Sequence, residues 1–460
     1  MDELTCFKAY DIRGEIGITI DEGVAYRIGR AVAQHFNSKS ILIGFDARQT
    51  SPSFAAAVSK GVRDTGSDVI EIGLAGTEEM YWAVSEFNCC AGISVTASHN
   101  PIGYNGMKIV KSGSRPLDDV DDFQVIKKLA ETQSWTGGSR RGKIINKASA
   151  ARSAYVERVL KFIDLEALKP LKIVVNSGNG AAGPTLDAIA EQLDRNNVPI
   201  QFVCINHVPD WSFPNGIPNP MLPENHAETA LVVKQENADF GVAFDGDFDR
   251  CFLFDDCGVF VPVEYVVGLL AGIFLDREVG GKIVHDPRVV WNTQDIVSQK
   301  GGVAVQSKTG HAFVKQMMRS QKAVYGGEIS AHHYFRDFSF CDSGMIPWIM
   351  IAELVSKSGR SLRSLVADRR AKFQSSGEVN FSVDSPDDAI ARVLGAYSPR
   401  AISSDNTDGF SLVFSDWRFN LRRSNTESLV RLNIETRAGG SEPINSHLKA
   451  ITELIEGGAV

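Results

Sequence analysis

The chain has 460 residues, 43% hydrophobic and 23% charged, the composition of an ordinary globular protein with room for about three domains. A net charge of −8 with no basic run argues against nucleic acid or an anionic membrane as the main partner, although a cationic pocket for a small anion can still be built locally. No apolar stretch approaches the ~18–20 residues of a membrane span. The N-terminus lacks a secretory pattern, and the seven cysteines form no C-x-x-C spacing or disulfide framework, so a cytoplasmic setting is expected.

One local pattern recurs: a short β-rich apolar run, a polar or glycine-rich turn, then a helix-compatible stretch. The runs end at Asp46, Ser94–Ser98, Asn176–Gly180, Asp245–Asp249, His285–Arg288, Ser307–His311 and Gly327–Ser330, which predicts parallel α/β sheets in several domains. Ala91-Gly92-Ile93-Ser94-Val95 feeds Thr96-Ala97-Ser98-His99-Asn100-Pro101, where Pro101 ends any regular element. Ser98 thus sits where open α/β sheets place ligands. A nucleophile and a plain helix cap are both open readings of it. Residues 131–150 are polar and glycine-containing, as an inter-domain connection would be, and a helix is expected near Ala154–Ile163 before a strand at Leu171–Val175. Further breaks fall near Asp255–Gly258 and Phe373–Glu378. Beyond them Phe410–Phe414, Trp417–Leu421 and Leu429–Ile434 alternate like antiparallel strands around a polar loop, Arg422–Ser428. The expected architecture is α/β: three similar mixed α/β domains, at residues 1–145, 146–254 and 255–370, then a smaller α+β domain at 371–460.

Four segments carry chemistry. Gly178-Asn179-Gly180-Ala181-Ala182-Gly183 matches the G-x-G-x-x-G dinucleotide pattern, but the next strand ends in Asn206-His207 rather than an acid, so a tight turn that binds nothing competes with a dehydrogenase. Asp245-Gly246-Asp247-Phe248-Asp249-Arg250 sets three carboxylates at alternate positions, which one cation can meet from an extended backbone. It is no EF-hand, because Arg250 stands where that loop needs glycine. Oxygen-only ligands favour Mg²⁺ or a similar hard cation; a solvated acidic loop is the plain alternative. Gly327-Glu328-Ile329-Ser330-Ala331-His332-His333 offers an acceptor and a donor suited to neighbouring sugar hydroxyls, beside histidines that lack a third zinc ligand. Arg422-Arg423-Ser424-Asn425-Thr426-Glu427 can wrap a phosphate dianion or be a polar hairpin. Lys108, Arg13 and His311 are further partners for phosphate or protons, none diagnostic by itself.

Together these residues resemble the α-D-phosphohexomutase family, most closely its phosphomannomutase branch, from Phe7-Lys8-Ala9-Tyr10-Asp11-Ile12-Arg13-Gly14 to the Arg422–Glu427 loop. The resemblance implies four domains around a central cleft, each giving one loop. It implies that Ser98 carries a phosphoryl group and that Asp245, Asp247 and Asp249 hold Mg²⁺ together with a phosphoserine oxygen. It places Ser98, His99, Lys108, Arg13, His332 and His311 at the chemistry. Tyr10, Arg250, Arg288, Glu328, Ser330, Arg422, Ser424, Asn425 and Thr426 fall to the substrate. The implied reaction interconverts mannose 6-phosphate and mannose 1-phosphate through a bisphosphorylated sugar, with glucose 1,6-bisphosphate or mannose 1,6-bisphosphate as activator. Implied partners are hexose phosphates alone, with monomer and dimer both open. A dual-specificity phosphomannomutase/phosphoglucomutase is the near alternative, and a Mg²⁺-dependent sugar phosphatase the remote one. The chain departs from the family at Ile329, where Met is frequent, at Ala331, where Gly is frequent, and at Ser428, where Pro is common.

Overall fold

Each apolar run is a strand that stops where its polar turn begins. In the computed structural model, residues 3–8, 11–136, 140–288, 290–424 and 429–457 are described. They form two units, residues 1–260 with 332–362 and residues 261–331 with 363–460.

The first unit holds two sheets. In one, Ser40–Phe45 lies between Asp68–Leu74 and Ala91–Val95, parallel to both. Residues buried on both faces make these strands near-continuous in apolar side chains, as parallel strands require; all five residues of Ala91–Val95 are buried. Tyr104–Lys111 runs back antiparallel beside Ala91–Val95 and pairs in turn with Ile12–Glu15. In the other sheet, Leu171–Asn176 is parallel to Ile200–Ile205 and Phe240–Phe244, and Cys251–Phe254 closes one edge antiparallel. The helix expected near Ala154–Ile163 begins earlier and spans Ala148–Leu160. Its first turn, Ala148-Ser149-Ala150-Ala151, reads as linker only because it carries no apolar periodicity; alanine is the best helix former. Met345–Ser358 is the most apolar helix, and Met345 to Ala352 are all buried in the core of this unit. Among the described residues no helix is long and apolar enough to cross a membrane.

In the second unit, Lys282–His285 lies parallel to Val303–Gln306 and to Tyr325–Gly327. The other sheet is five-stranded and antiparallel: Phe373–Ser382, Leu429–Arg437, Trp417–Arg423, Phe410–Val413 and Ser403–Asp405 in spatial order. Two amphipathic helices, Pro386–Tyr397 and Ile444–Ile455, bury Ile390, Val393, Ile451 and Leu454 in the core that also takes Phe419, Leu421, Leu432 and Ile434 from the strands. The break expected near Phe373–Glu378 falls at a junction between a helix and a strand, with no loop between them. Helix Leu362–Lys372 runs straight into strand Phe373–Ser382, and Ser375-Ser376-Gly377 is a β-bulge within that strand, with Gly377 at φ +65°. A polar, glycine-containing stretch signals a bulge as readily as a linker.

Candidate active site

Among the residues other than glycine in the left-handed backbone region are Ser98 at φ +47°, Phe248 at +44° and Ala331 at +69°, each in a turn that follows a strand. Such conformations cost about 1–2 kcal/mol each for a residue with a Cβ, and persist where the surroundings enforce them. They fall on the serine turn, the acidic loop and the Glu328–Ser330 turn. Ala331 adopts the conformation that would suit glycine, with its backbone N–H donating to the Glu328 carbonyl at 3.1 Å.

The serine turn is fixed from inside. The Ser98 N–H donates to Thr96 Oγ1 at 2.8 Å, and Asn100 N–H to the Ala97 carbonyl at 2.9 Å. Arg48, buried near the start of the helix that follows Ser40–Phe45, donates from Nη2 to the carbonyl of Ser98 at 2.9 Å and to that of Asn100. Its Nη1 donates to the carbonyls of Pro101 at 2.9 Å and Tyr104 at 3.1 Å. One planar guanidinium therefore clamps the turn that carries Ser98. Arg13 donates to the Thr96 carbonyl and pairs with Asp11 at 3.2 Å.

The acidic loop abuts this turn. A Cβ built on Gly246 would lie 2.6 Å from the Ser98 carbonyl oxygen. Behind it packs the glycine-rich turn, where a Cβ on Gly180 would lie 2.7 Å from the Gly246 carbonyl oxygen and one on Gly183 would lie 2.0 Å from that of His207. Those two glycines are thus explained by close packing, with Ala181 N–H donating to the Gly246 carbonyl at 3.0 Å.

Asp245, Asp247 and Asp249 are buried, and each offers an oxygen within 4.8 Å of the others. The Ser98 hydroxyl lies 2.8 Å from Asp245 Oδ2 and 3.1 Å from His99 Nδ1. Arg250 donates to Asp245 Oδ2 at 2.8 Å and to His99 Nδ1 at 2.6 Å. That bond uses the His99 lone pair, so the Ser98 proton points to Asp245. The Arg250 charge pushes His99 well below the usual histidine range. Lys108 donates to Asp247 Oδ2 at 2.8 Å and to Asp249 Oδ2, while Thr77 Oγ1 donates to Asp247 Oδ2 at 2.5 Å.

Burial alone would lower the Lys108 pKa, yet Asp247 and Asp249 hold it above the ordinary lysine range. Burial likewise works against ionised Asp247, which Lys108 and Thr77 nevertheless keep well below the carboxylate range. The excess of negative charge falls on Asp249, raised well above by burial and by Asp247. Lys108 and Arg250 supply two positive charges for three carboxylates, and Asp247 Oδ1 and Asp249 Oδ1 are buried with no hydrogen-bond partner among the described residues. Orphaned anionic oxygens around one point fit a hard divalent cation. His332 borders this cluster, its Nε2 3.8 Å from Asp249 Oδ1 and 3.9 Å from Asp342 Oδ2. His333, by contrast, is fully buried in a short strand, where desolvation lowers its pKa to about 3.

The second unit gathers a different set. Gly310 N–H, before the helix opened by His311, donates to Glu328 Oε1 at 2.7 Å. Asp286 accepts from Arg288 Nη2 at 2.6 Å and from Ile329 N–H at 2.9 Å, and Arg288 lies 3.9 Å from Glu328. Arg418 donates to the carbonyls of Pro287 at 2.9 Å and Arg288 at 3.1 Å, while Glu435 receives the N–H groups of Val290 at 2.8 Å and Trp291 at 2.9 Å. Glu435 thus supplies negative charge at the start of helix Trp291–Gln299. Arg422 pairs with Glu378 at 2.9 Å. Ser424 is buried, its N–H donating to the Leu429 carbonyl at 2.9 Å. Tyr10, Asn425 and Thr426 lie outside the described residues.

Residues 5–135, 153–258 and 263–373 match, in that order, the phosphoglucomutase/phosphomannomutase alpha/beta/alpha domains I, II and III. The chain is 50% identical to a phosphomannomutase of Salmonella montevideo over 99% of its own length and 100% of that protein's. The chain belongs to the phosphoglucomutase/phosphomannomutase family. It is 49% identical to a Xanthomonas campestris protein named phosphohexose mutases, over 99% of this chain and all of that one. A phosphoglucomutase/phosphomannomutase family protein of Burkholderia thailandensis superposes with a TM-score of 0.85 at 29% identity, covering 100% of this chain and 99% of that one. The family consists of isomerases that act as intramolecular phosphotransferases, so the enzyme class follows from membership.

Within this family member, Ser98, His99, Lys108, Arg13, Arg250, the three aspartates and His332 come together in the first unit. Glu328, Ser330, Arg288, His311, Arg422 and Ser424 belong to the second. Sequence reading missed Arg48, Thr77, Asp286, Arg418, Glu378 and Glu435. Asp46-Ala47-Arg48 at the end of an apolar run was the available signal for Arg48, since a charged pair at a buried strand end needs partners.

Proposed function

We propose that this family member is a phosphomannomutase that interconverts mannose 6-phosphate and mannose 1-phosphate. Identity near 50% to proteins of that name supports the substrate. The chemistry rests on one observation: the Ser98 hydroxyl is held 2.8 Å from Asp245, in a buried trio whose other two carboxylates each keep an oxygen with no hydrogen-bond partner among the described residues.

In this reading phosphorylated Ser98 donates its phosphoryl group to the free hydroxyl of a hexose phosphate. The bond from phosphorus to Ser98 Oγ breaks, a bond from phosphorus to the sugar oxygen forms, the sugar hydroxyl proton passes to His332, and Lys108 gives a proton to the departing Ser98 Oγ; the return transfer reverses both proton movements. The bisphosphorylated sugar turns over and returns its other phosphoryl group to Ser98, which restores the phosphoenzyme. Lys108, held as an ammonium, serves as a charge and a proton donor; it would have to leave Asp247 and Asp249 before it could accept a proton. Arg250 keeps His99 neutral and orients Asp245. Asp245, Asp247 and Asp249 are the residues that would hold Mg²⁺, which would neutralise charge on the transferring group. Glu328 and Ser330 are assigned to sugar hydroxyls, and Arg288 and the Arg422–Thr426 loop to the phosphate that does not react.

A dual-specificity enzyme acting also on glucose phosphates is the second reading, favoured by the broader name of the Xanthomonas campestris relative. Glucose and mannose differ only at C2, whereas Glu328 and Ser330 would meet hydroxyls common to both. A coupled assay on both hexose 1-phosphates, with and without glucose 1,6-bisphosphate, decides. A higher kcat/KM on mannose 1-phosphate supports the first reading and equal values the second. Release of inorganic phosphate in place of isomerisation would contradict both.

A further inference from the structure

Arg422 and Arg431 are direct cross-strand neighbours on Trp417–Arg423 and Leu429–Arg437. Like charges so placed repel each other. One carboxylate holds them together. Glu378 Oε2 accepts from Arg422 Nη2 at 2.9 Å, and Glu378 Oε1 from Arg431 Nη1 at 3.1 Å, with Arg288 Nη1 3.5 Å from Oε2. The β-bulge between Ser375 and Glu378 is what delivers this side chain to the pair.

The charges do not balance. Arg288 already has Asp286 as a partner, so among the described residues Arg422 and Arg431 share a single carboxylate and one positive charge is left over. The Nε of each is buried with no hydrogen-bond partner among the described residues. Two guanidinium groups with spare donors, bridged by the two oxygens of a carboxylate, form a cradle for a tetrahedral dianion that has more acceptor oxygens to give. The three arginines hold Glu378 below the usual carboxylate range against its burial, so the bridging group is an anion.

We propose that Glu378 is an internal stand-in for the phosphate of the sugar that does not react. It keeps Arg422 and Arg431 assembled between turnovers and yields Arg422 to the incoming phosphate, so its charge weakens phosphate binding and speeds release. This rests on the reading of the Arg422 loop as the phosphate holder. No bond is made or broken; Arg422 exchanges one anionic partner for another.

The test measures KM for mannose 1-phosphate, kcat, and the inhibition constant of inorganic phosphate in five proteins: wild type, Glu378→Gln, Glu378→Asp, Arg422→Gln and the double variant that joins Glu378→Gln to Arg422→Gln. Glu378→Gln keeps the shape and removes the charge, so KM and the inhibition constant are expected to fall about 3- to 10-fold with no gain in kcat. Adding Arg422→Gln to Glu378→Gln is expected to abolish that gain. A rise in both constants for Glu378→Gln, with a wild-type melting curve, would overturn the proposal and leave Glu378 a scaffold. Arg422→Gln with unchanged KM and phosphate inhibition would instead remove the assignment of the loop. Should Glu378→Gln fail to fold, Glu378→Asp decides. Its shortened carboxylate gives an inhibition constant below wild type if the stand-in account holds, and one at or above wild type if it does not.

Discussion

Replacing Arg48 by Met removes the clamp on the Ser98 turn while keeping much of the side-chain volume. The guanidinium donates to four carbonyls, those of Ser98, Asn100, Pro101 and Tyr104, and its charge sits 3.6 Å from buried Asp46. Charged hydrogen bonds contribute about 1.5–3 kcal/mol each, but four on one group are not additive. Breaking a buried pair of this kind costs roughly 3–5 kcal/mol, since Asp46 keeps a buried charge with less to balance it. Ser98 at φ +47° then has less to hold it in a costly conformation. A displacement of about 1 Å at the reacting hydroxyl is worth around 100-fold in rate. Arg48→Met is therefore expected to lower kcat about 100-fold with KM within threefold of wild type, and to lower urea stability by roughly 3–5 kcal/mol. Arg48→Lys, with three N–H donors for four carbonyls, should recover part of both. The assay is steady-state kinetics on mannose 1-phosphate beside a urea titration, at a temperature where every variant is fully folded. A kcat within threefold of wild type in Arg48→Met would refute the reasoning even if stability fell as expected.

Two further outcomes follow from the same geometry. Gly246→Ala places a Cβ 2.6 Å from the Ser98 carbonyl, an overpacking that costs about 1–3 kcal/mol; kcat should drop at least about tenfold and Tm should fall, and unchanged values in both would show that the two turns do not abut. His333 carries a pKa near 3 in the fold against 6.5 in the unfolded chain, so the unfolded chain binds the extra proton and stability is lost as pH falls below about 6.5. Between pH 7 and pH 5 wild type should lose about 2 kcal/mol more than His333→Gln in urea titrations, and parallel pH profiles would contradict the burial argument.

What the sequence made legible was whatever lies at the end of an apolar run. The turns at Ser98, Asp245–Asp249 and Glu328–Ser330 were readable because parallel strands buried on both faces are apolar until the turn begins. Tyr104–Lys111 escaped because Asn105 and Lys108 interrupt its apolar pattern. Buried polar side chains that serve a site conflict with the local signal of the strand that carries them. Arg48 escaped for another reason: it acts on backbone carbonyls about fifty residues away, and backbone acceptors leave no trace in side-chain identity. Glu378 was hidden by its bulge, which made a strand look like a linker. The glycine-rich turn was legible as a turn, while its use as a backing for Gly246 needed the packing distances.

The most direct test of the central claim is the phosphorylation state of Ser98. After incubation with glucose 1,6-bisphosphate and removal of the sugar, mass spectrometry of the peptide that holds Ser98 should show one phosphate on that residue. The phosphate should transfer to added mannose 1-phosphate, and Ser98→Ala should neither take up phosphate nor turn over. Full turnover in Ser98→Ala, or a phosphate that settles on another residue, would contradict the account.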